Sequence, residues 1–153
     1  MALNLTIPAE YGYVLLAAAG STAVPLYHVL QVVKYRRLTD IRPPTLDASP
    51  SEAAASKEKY LYNCAQRAHA NFTENHPSFL TVLLIAGLQY PVTSAWLGAI
   101  WTLGRFVYAW GYVRDLPDGK GRQVGSWWEF PQLGLMGLAF TVGFRLAREA
   151  WLA

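Results

Sequence analysis

Charge is what this sequence has least of. Asp, Glu, Lys and Arg make up 15% of its 153 residues, against about 25% in an average soluble domain. That excludes a solvated, disordered chain and argues against an ordinary soluble globule. Cysteine is nearly absent as well. The single Cys64 allows no internal disulfide and no cysteine-rich zinc centre, and no metal is expected. The net charge is only +3. With no basic amphipathic run and no RNA-binding motif, no nucleic-acid partner is expected. The opening residues, MALNLTIPAE, lack the basic stretch of a secretory leader and lead into no cleavage signature. The first apolar segment is therefore expected to stay on the protein.

What is present is apolar and clustered: 53% of the residues are hydrophobic and 14% aromatic. Three stretches carry no Asp, Glu, Lys or Arg: Tyr11 to Val33, Asn75 to Gly104 (divided at Tyr90-Pro91), and Phe130 to Phe144. A membrane-crossing helix needs about 20 mostly apolar residues. The pattern predicts an all-α integral membrane protein, a four-helix bundle in one domain covering 1–153. Its spans are placed at roughly 10–34, 66–89, 92–113 and 127–148. Leu38 to Lys59, rich in Pro, Ser, Ala and mixed charge, reads as a solvated loop. Pro91 breaks the chain between the second and third spans, with Val92-Thr93-Ser94 capping the next helix. Loops one and three hold most of the Lys and Arg, which predicts that both face the cytosol. Trp127, Trp128 and Trp151 read as interfacial belts. Gly134, Gly137, Ala139 and Gly143 give the last span a small-residue face, suited to close packing within or between subunits.

Ionisable groups in apolar helices are costly, so they mark function or a buried pair. Arg67, Asn71 and Glu74 fall at i, i+4 and i+7 on one helix face, with His69 turned away from it. Arg67 and Glu74 are placed to pair through Asn71, and the three read either as a binding face or as an interfacial polar cap. Arg105, Tyr108 and Tyr112 share a face of the third span. An arginine at the depth of Arg105 needs a partner, and Glu74 is the expected one. Arg36, with Lys34 and Arg37, closes the first span, and Arg122 lies in loop three; both read first as positive flanks. Arginine forks hold carboxylates, while Glu and Asn hold amines and amides. The set suits a small zwitterion with several carboxylates. Glutathione fits that description among others.

The segments Glu10-Tyr11-Gly12-Tyr13, Asn63-Cys64-Ala65-Gln66-Arg67-Ala68-His69-Ala70-Asn71, and Gly104-Arg105 through Tyr108 to Gly111-Tyr112 resemble the membrane-associated proteins in eicosanoid and glutathione metabolism. Within that family they look most like the microsomal glutathione S-transferase type three branch. The resemblance implies a homotrimer of four-helix subunits, with glutathione held between neighbours near the cytosolic face as co-substrate. It implies glutathione contacts by Arg36, Arg67, His69, Asn71, Glu74, Tyr108 and Tyr112, and a pairing role for Arg105. The family's catalytic arginine follows the third span. The match here is Arg122, with Lys120 as the alternative. Cys64 reads as structural or as a modifiable thiol near the site. The implied activity is conjugation of lipophilic electrophiles and reduction of lipid hydroperoxides, in the endoplasmic reticulum or the outer mitochondrial membrane. Two other readings are a non-catalytic lipid-presenting protein of the same superfamily and a small transporter. For the transporter, His28 and Pro25 are the only signs.

Overall fold

The protein is described by a computed structural model covering residues 7–114 and 116–152; the leader reading of residues 1–6 lies outside these. Every regular element among the described residues is helical, with no strand. The expected first span is α1 (Tyr11–Ser21) followed by α2 (Ala23–Arg36). They part at Thr22 because Pro25 has no N–H to offer the carbonyl four residues earlier. There the Ser21 and Thr22 hydroxyls donate to the carbonyls of Ala18 and Ala19 instead.

The solvated loop expected over Leu38 to Lys59 is partly helical. A short α3 (Pro50–Ala55) starts on a capping box, with the Ser49 side chain accepting from the Glu52 amide and the Glu52 carboxylate accepting from the Ser49 amide. Ser56 then caps α4 (Lys57–Gly87), nine residues ahead of the expected second span. At 1.5 Å per residue, the 31 residues of α4 run about 46 Å, well beyond an apolar bilayer core of about 30 Å. Its first turns therefore project past the apolar layer. They carry the polar residues that hid this helix in a hydropathy reading.

Lys59 ties this region together. Its ammonium lies 2.9 Å from both Asp40 and Glu52. The hydrogen bond from Lys59, then those from the Ser49 side chain and amide, hold the Glu52 carboxyl at about 2 instead of 4.5. A depressed carboxyl stabilises the fold above its unfolded value. That contribution is lost as pH falls from about 4.5 through about 2. Lys59→Met is expected to return the Glu52 titration, followed by NMR, toward 4.5; an unmoved midpoint would contradict the assignment.

α5 (Pro91–Tyr112) begins with Pro91 as its first helical residue and Tyr90 before it, with no side-chain cap. Thr93 and Ser94 are thus inside the helix, and the expected capping by them is not found. Residues Pro117–Trp128 form tight 3-10 turns, and α6 (Glu129–Leu152) completes the chain. α4 is the hub, packed on α2, α5 and α6, while the 3-10 turns lie along α5. The core joins Phe72, Phe79 and Leu83 of α4 to Trp101 and Tyr108 of α5 and Leu135 of α6. Phe79 and Trp101 stack with centroids 3.7 Å apart.

Outward faces are apolar: Leu16, Phe130 and Phe144 are each at least 70% exposed. Two helical stretches, Tyr11–Arg36 and Pro117–Leu152, are long and apolar enough to cross a membrane. α4 and α5 are long but carry polar turns and the buried Arg105. Trp127 and Trp151 are exposed as an interfacial belt requires, but Trp128 is buried in the core. A Cβ on Gly137 or Gly143 would meet nothing within 4 Å, so neither makes a close helix contact within the chain.

Candidate functional site

α4 and α5 present the polar cluster at the end of the bundle where the 3-10 turns and the start of α4 meet. Tyr60 fastens the turns. Its hydroxyl donates to the Leu116 carbonyl (2.5 Å) and accepts from the Gly119 amide (2.9 Å). Asp118 and Gly119 both take positive φ. Gly119 is required there, because a Cβ would also press on the Tyr112 ring. Beyond this bend, Gly111, Gly121 and Gly125 let the turns lie against the α5 backbone. A Cβ on Gly111 would run into the Gly121 carbonyl, and one on Gly125 into the Tyr108 backbone.

The bend brings Arg122 over Tyr112, with its guanidinium 5.7 Å from the ring centroid. Its Nη1 donates to the Asp118 carbonyl at 3.3 Å. Lys120 points elsewhere, to the exposed Asp118 carboxylate at 3.8 Å. A cleft of about 220 Å³ lies alongside, lined by Tyr60, Asn63, Cys64, Arg67, Tyr112, Asp118 and Gly119. Tyr60 and Asn63 were not among the residues expected at the site, and Cys64 was placed near it only in the second of its two readings. For Tyr60 and Cys64 the signal was there to read, because Tyr60, Cys64, Arg67, Asn71 and Glu74 continue one helical stripe at spacings of 4, 3, 4 and 3.

Arg67 and Glu74 pair as expected, though not through Asn71, and the expected pairing of Glu74 with Arg105 is not found. Arg67 and Glu74 meet directly across two turns, Nη1 to Oε1 3.5 Å, on the exposed side. Glu74 is therefore not the partner of Arg105. Arg105 is fully buried and donates from Nη1 to Asn71 Oδ1 at 2.9 Å. Four rings surround its guanidinium: Trp128 at 4.5 Å, Tyr108 at 4.9 Å, Phe72 at 5.4 Å and Trp101 at 5.6 Å. The rings offer cation–π attraction in place of the expected carboxylate, while Nε and Nη2 have no hydrogen-bond partner among the described residues. Tyr108 and Tyr112 touch edge to face at 5.5 Å.

Two of the expected residues point away from this cluster. His69 faces α2, its ring centroid 6.0 Å from that of His28. Arg36 lies over the Tyr62 ring at 5.1 Å and donates to the Thr45 carbonyl at 3.4 Å. Arg67, Asn71, Glu74, Tyr108, Tyr112 and Arg122 thus gather together, Arg36 lies apart, and His69 shares with Arg67 a second cleft that Leu46, Asp47 and Gln66 also line.

An all-helical bundle with apolar outer faces, and a cleft lined by Tyr60, Arg67 and Tyr112 at one end, fits a membrane protein. The family model described as the MAPEG family matches residues 14–143. The chain belongs to that family, as its motifs on α4 and α5 led one to expect. It is 34% identical over 90 residues to leukotriene C4 synthase of Cavia porcellus, covering 58% of this chain and 53% of that protein. It is 32% identical over 102 residues to microsomal glutathione S-transferase 2 of Homo sapiens, covering 65% of this chain and 63% of the relative. The aligned part thus spans under two thirds of either relative.

Proposed function

We propose that the protein is a glutathione-dependent membrane transferase that also reduces lipid hydroperoxides. The observation that carries this reading is a cleft lined by Arg67 and Tyr112, with Arg122 set over the Tyr112 ring and Asn71 held by Arg105. The names of the two relatives supply the ligand: one is a glutathione S-transferase, and the other makes a leukotriene. Arg67, Asn71 and Glu74 hold the tripeptide, Tyr108 and Tyr112 border its thiol, and Arg122 stabilises the thiolate.

Coulomb's law sets the scale. A guanidinium about 4 Å from a thiolate, at an effective dielectric of about 20, contributes up to about 4 kcal/mol. Each pKa unit takes about 1.4 kcal/mol. After desolvation losses, one arginine lowers a thiol of pKa about 8.5 by one to two units, enough to populate the nucleophile at neutral pH. The thiolate then attacks an electrophilic carbon to give a thioether. With a hydroperoxide, the thiolate sulfur takes the terminal oxygen, releasing the alcohol. The sulfur, left as a sulfenic acid, is attacked by the thiol of a second glutathione; its hydroxyl leaves with that thiol's proton as water, and the disulfide forms. Neither route calls for a metal.

The separation of Arg36 from the cluster supports a site shared between neighbours, with Arg36 of one subunit completing the cleft of the next in a homotrimer and His69 at the edge beside its own Arg67. All of 1–153 then acts as one membrane domain of four spans, loops one and three in the cytosol, in the endoplasmic reticulum membrane. The lipophilic substrate arrives from the bilayer. An apolar groove of about 360 Å³ between α4 and α6, walled by Val82, Ile85, Met136, Phe140 and Phe144, suits a hydrocarbon chain.

The test is a thiolate absorbance titration with glutathione on detergent-purified protein, followed by turnover of a chromogenic electrophile and a lipid hydroperoxide. Arg122→Ala is expected to raise the bound thiol's midpoint by one to two pH units and cut the rate. Arg67→Ala is expected chiefly to weaken glutathione binding. A wild-type protein that forms no thiolate would overturn the reading in favour of a lipid-presenting protein.

A further inference from the structure

Backbone contact with α5 sets how near the 3-10 turns lie; it does not aim the side chain of Arg122. That direction is set at one peptide group, the one shared by Asp118 and Gly119. Both of its polar ends are engaged. Its carbonyl accepts from Arg122 Nη1 at 3.3 Å, and its N–H donates to the Tyr60 hydroxyl at 2.9 Å. The same hydroxyl donates to the Leu116 carbonyl at 2.5 Å, so it grips the chain on both sides of Pro117. Among the described residues, Tyr60 is the one helix side chain hydrogen-bonded into this segment. A trans peptide group is planar, with its N–H and C=O pointing opposite ways, so holding one end fixes the direction of the other. Asp118 and Gly119 stand at φ 56° and 62°. Glycine accepts either sign of φ, so Gly119 by itself does little to stop that group from turning over.

We propose that Tyr60 is a positioning residue for thiolate formation: by holding the Gly119 N–H it turns the Asp118 carbonyl toward Arg122, and so aims that guanidinium over Tyr112. Burial holds the Tyr60 phenol above its usual 10, so the hydroxyl keeps its proton at neutral pH and stays a donor to Leu116. The ring packs against both groups of core residues, and a phenylalanine there would fill the same space while losing both bonds at once. The inference rests on the glutathione reading, in which Arg122 faces the thiol, and deepens it. It places part of the control over ionisation on α4, in a side chain that carries no charge.

The test is a thiolate absorbance titration with glutathione on the whole chain in detergent, as wild type, Tyr60→Phe, Arg122→Ala and the double variant. Tyr60→Phe is expected to raise the bound thiol's midpoint by about half a pH unit, the worth of about one hydrogen bond. At a pH below the midpoint, where the thiol keeps its proton, glutathione should bind Tyr60→Phe as tightly as wild type by calorimetry. In the Arg122→Ala background the same change should move the midpoint no further, because no guanidinium is left to aim. Amide exchange at Gly119 should quicken in Tyr60→Phe, since its N–H has lost its acceptor. An unmoved midpoint, or a Gly119 amide that exchanges as before, overturns the proposal and leaves the glutathione reading standing. So does an equal shift in both backgrounds, which would mark a general loosening rather than an effect through Arg122. If wild type itself forms no thiolate, the glutathione reading has failed and this inference with it.

Discussion

Arg105→Ala is expected to lower the melting temperature of the detergent-solubilised protein by about 10 °C. The side chain fills the space between Phe72, Trp101, Tyr108 and Trp128, and it is fully buried. Truncation leaves a cavity lined by four rings and removes the hydrogen bond to Asn71. Large-to-small changes of this kind cost about 3 kcal/mol. In a chain of this size, each kcal/mol is worth about 2–4 °C. Two further variants separate the charge from the packing. Arg105→Lys keeps the charge but not the flat fork that four rings enclose, so it should fall between wild type and alanine. Arg105→Met fills space without burying a charge, and should melt closest to wild type. It should nonetheless bind glutathione poorly, because Asn71 loses the donor that orients it. Equal melting of wild type and Arg105→Ala would mean that the cage contributes nothing to stability.

Arg105 also shows where the sequence could be read and where it could not. That an arginine so deep in α5 needed compensation followed from solvation cost alone. The choice of Glu74 followed from charge, and it failed for a geometric reason. Along α4, Asn71 is turned about 60° from Glu74 in an ideal helix. That rotation sets Asn71 toward α5, while Glu74 lies on the exposed side within reach of Arg67. The long apolar helices were legible because charge-free runs are a one-dimensional signal. The segment before α3, and α3 itself, were not, because Pro, Ser and Asp composition looks the same in a mobile loop as in one tied down by Asn63 and Gln66. The cue that was present, Ser49 three residues ahead of Glu52, is a capping box that composition reading passes over. Similarly, Trp128 reads as an interfacial residue until one sees the buried guanidinium it covers.

The glycines of the α5 contact are expected to matter for rate more than any polar residue outside the cleft. Arg122 stands on the 3-10 turns, which hold their distance from Tyr112 only because Gly111 and Gly121 pass backbone to backbone and Gly125 lies against Tyr108. Neither obstacle is a flexible side-chain tip; both are main chain. Gly111→Ala must therefore move the turns bodily away from α5. A displacement of about 1 Å at a catalytic group costs about 100-fold in rate. Gly111→Ala is expected to lower kcat/KM for the chromogenic electrophile by at least that factor. It should also raise the bound thiol's titration midpoint toward that of Arg122→Ala, although no charge has been removed. Gly12→Ala is the matched control, since a Cβ there meets nothing within 4 Å, and it should turn over at the wild-type rate. The shift in midpoint is the discriminating reading. A Gly111→Ala protein that merely unfolds would lose glutathione binding altogether. One that binds glutathione but fails to ionise it has lost the placement of Arg122, and full activity would show that the thiolate does not depend on where those turns hold that guanidinium.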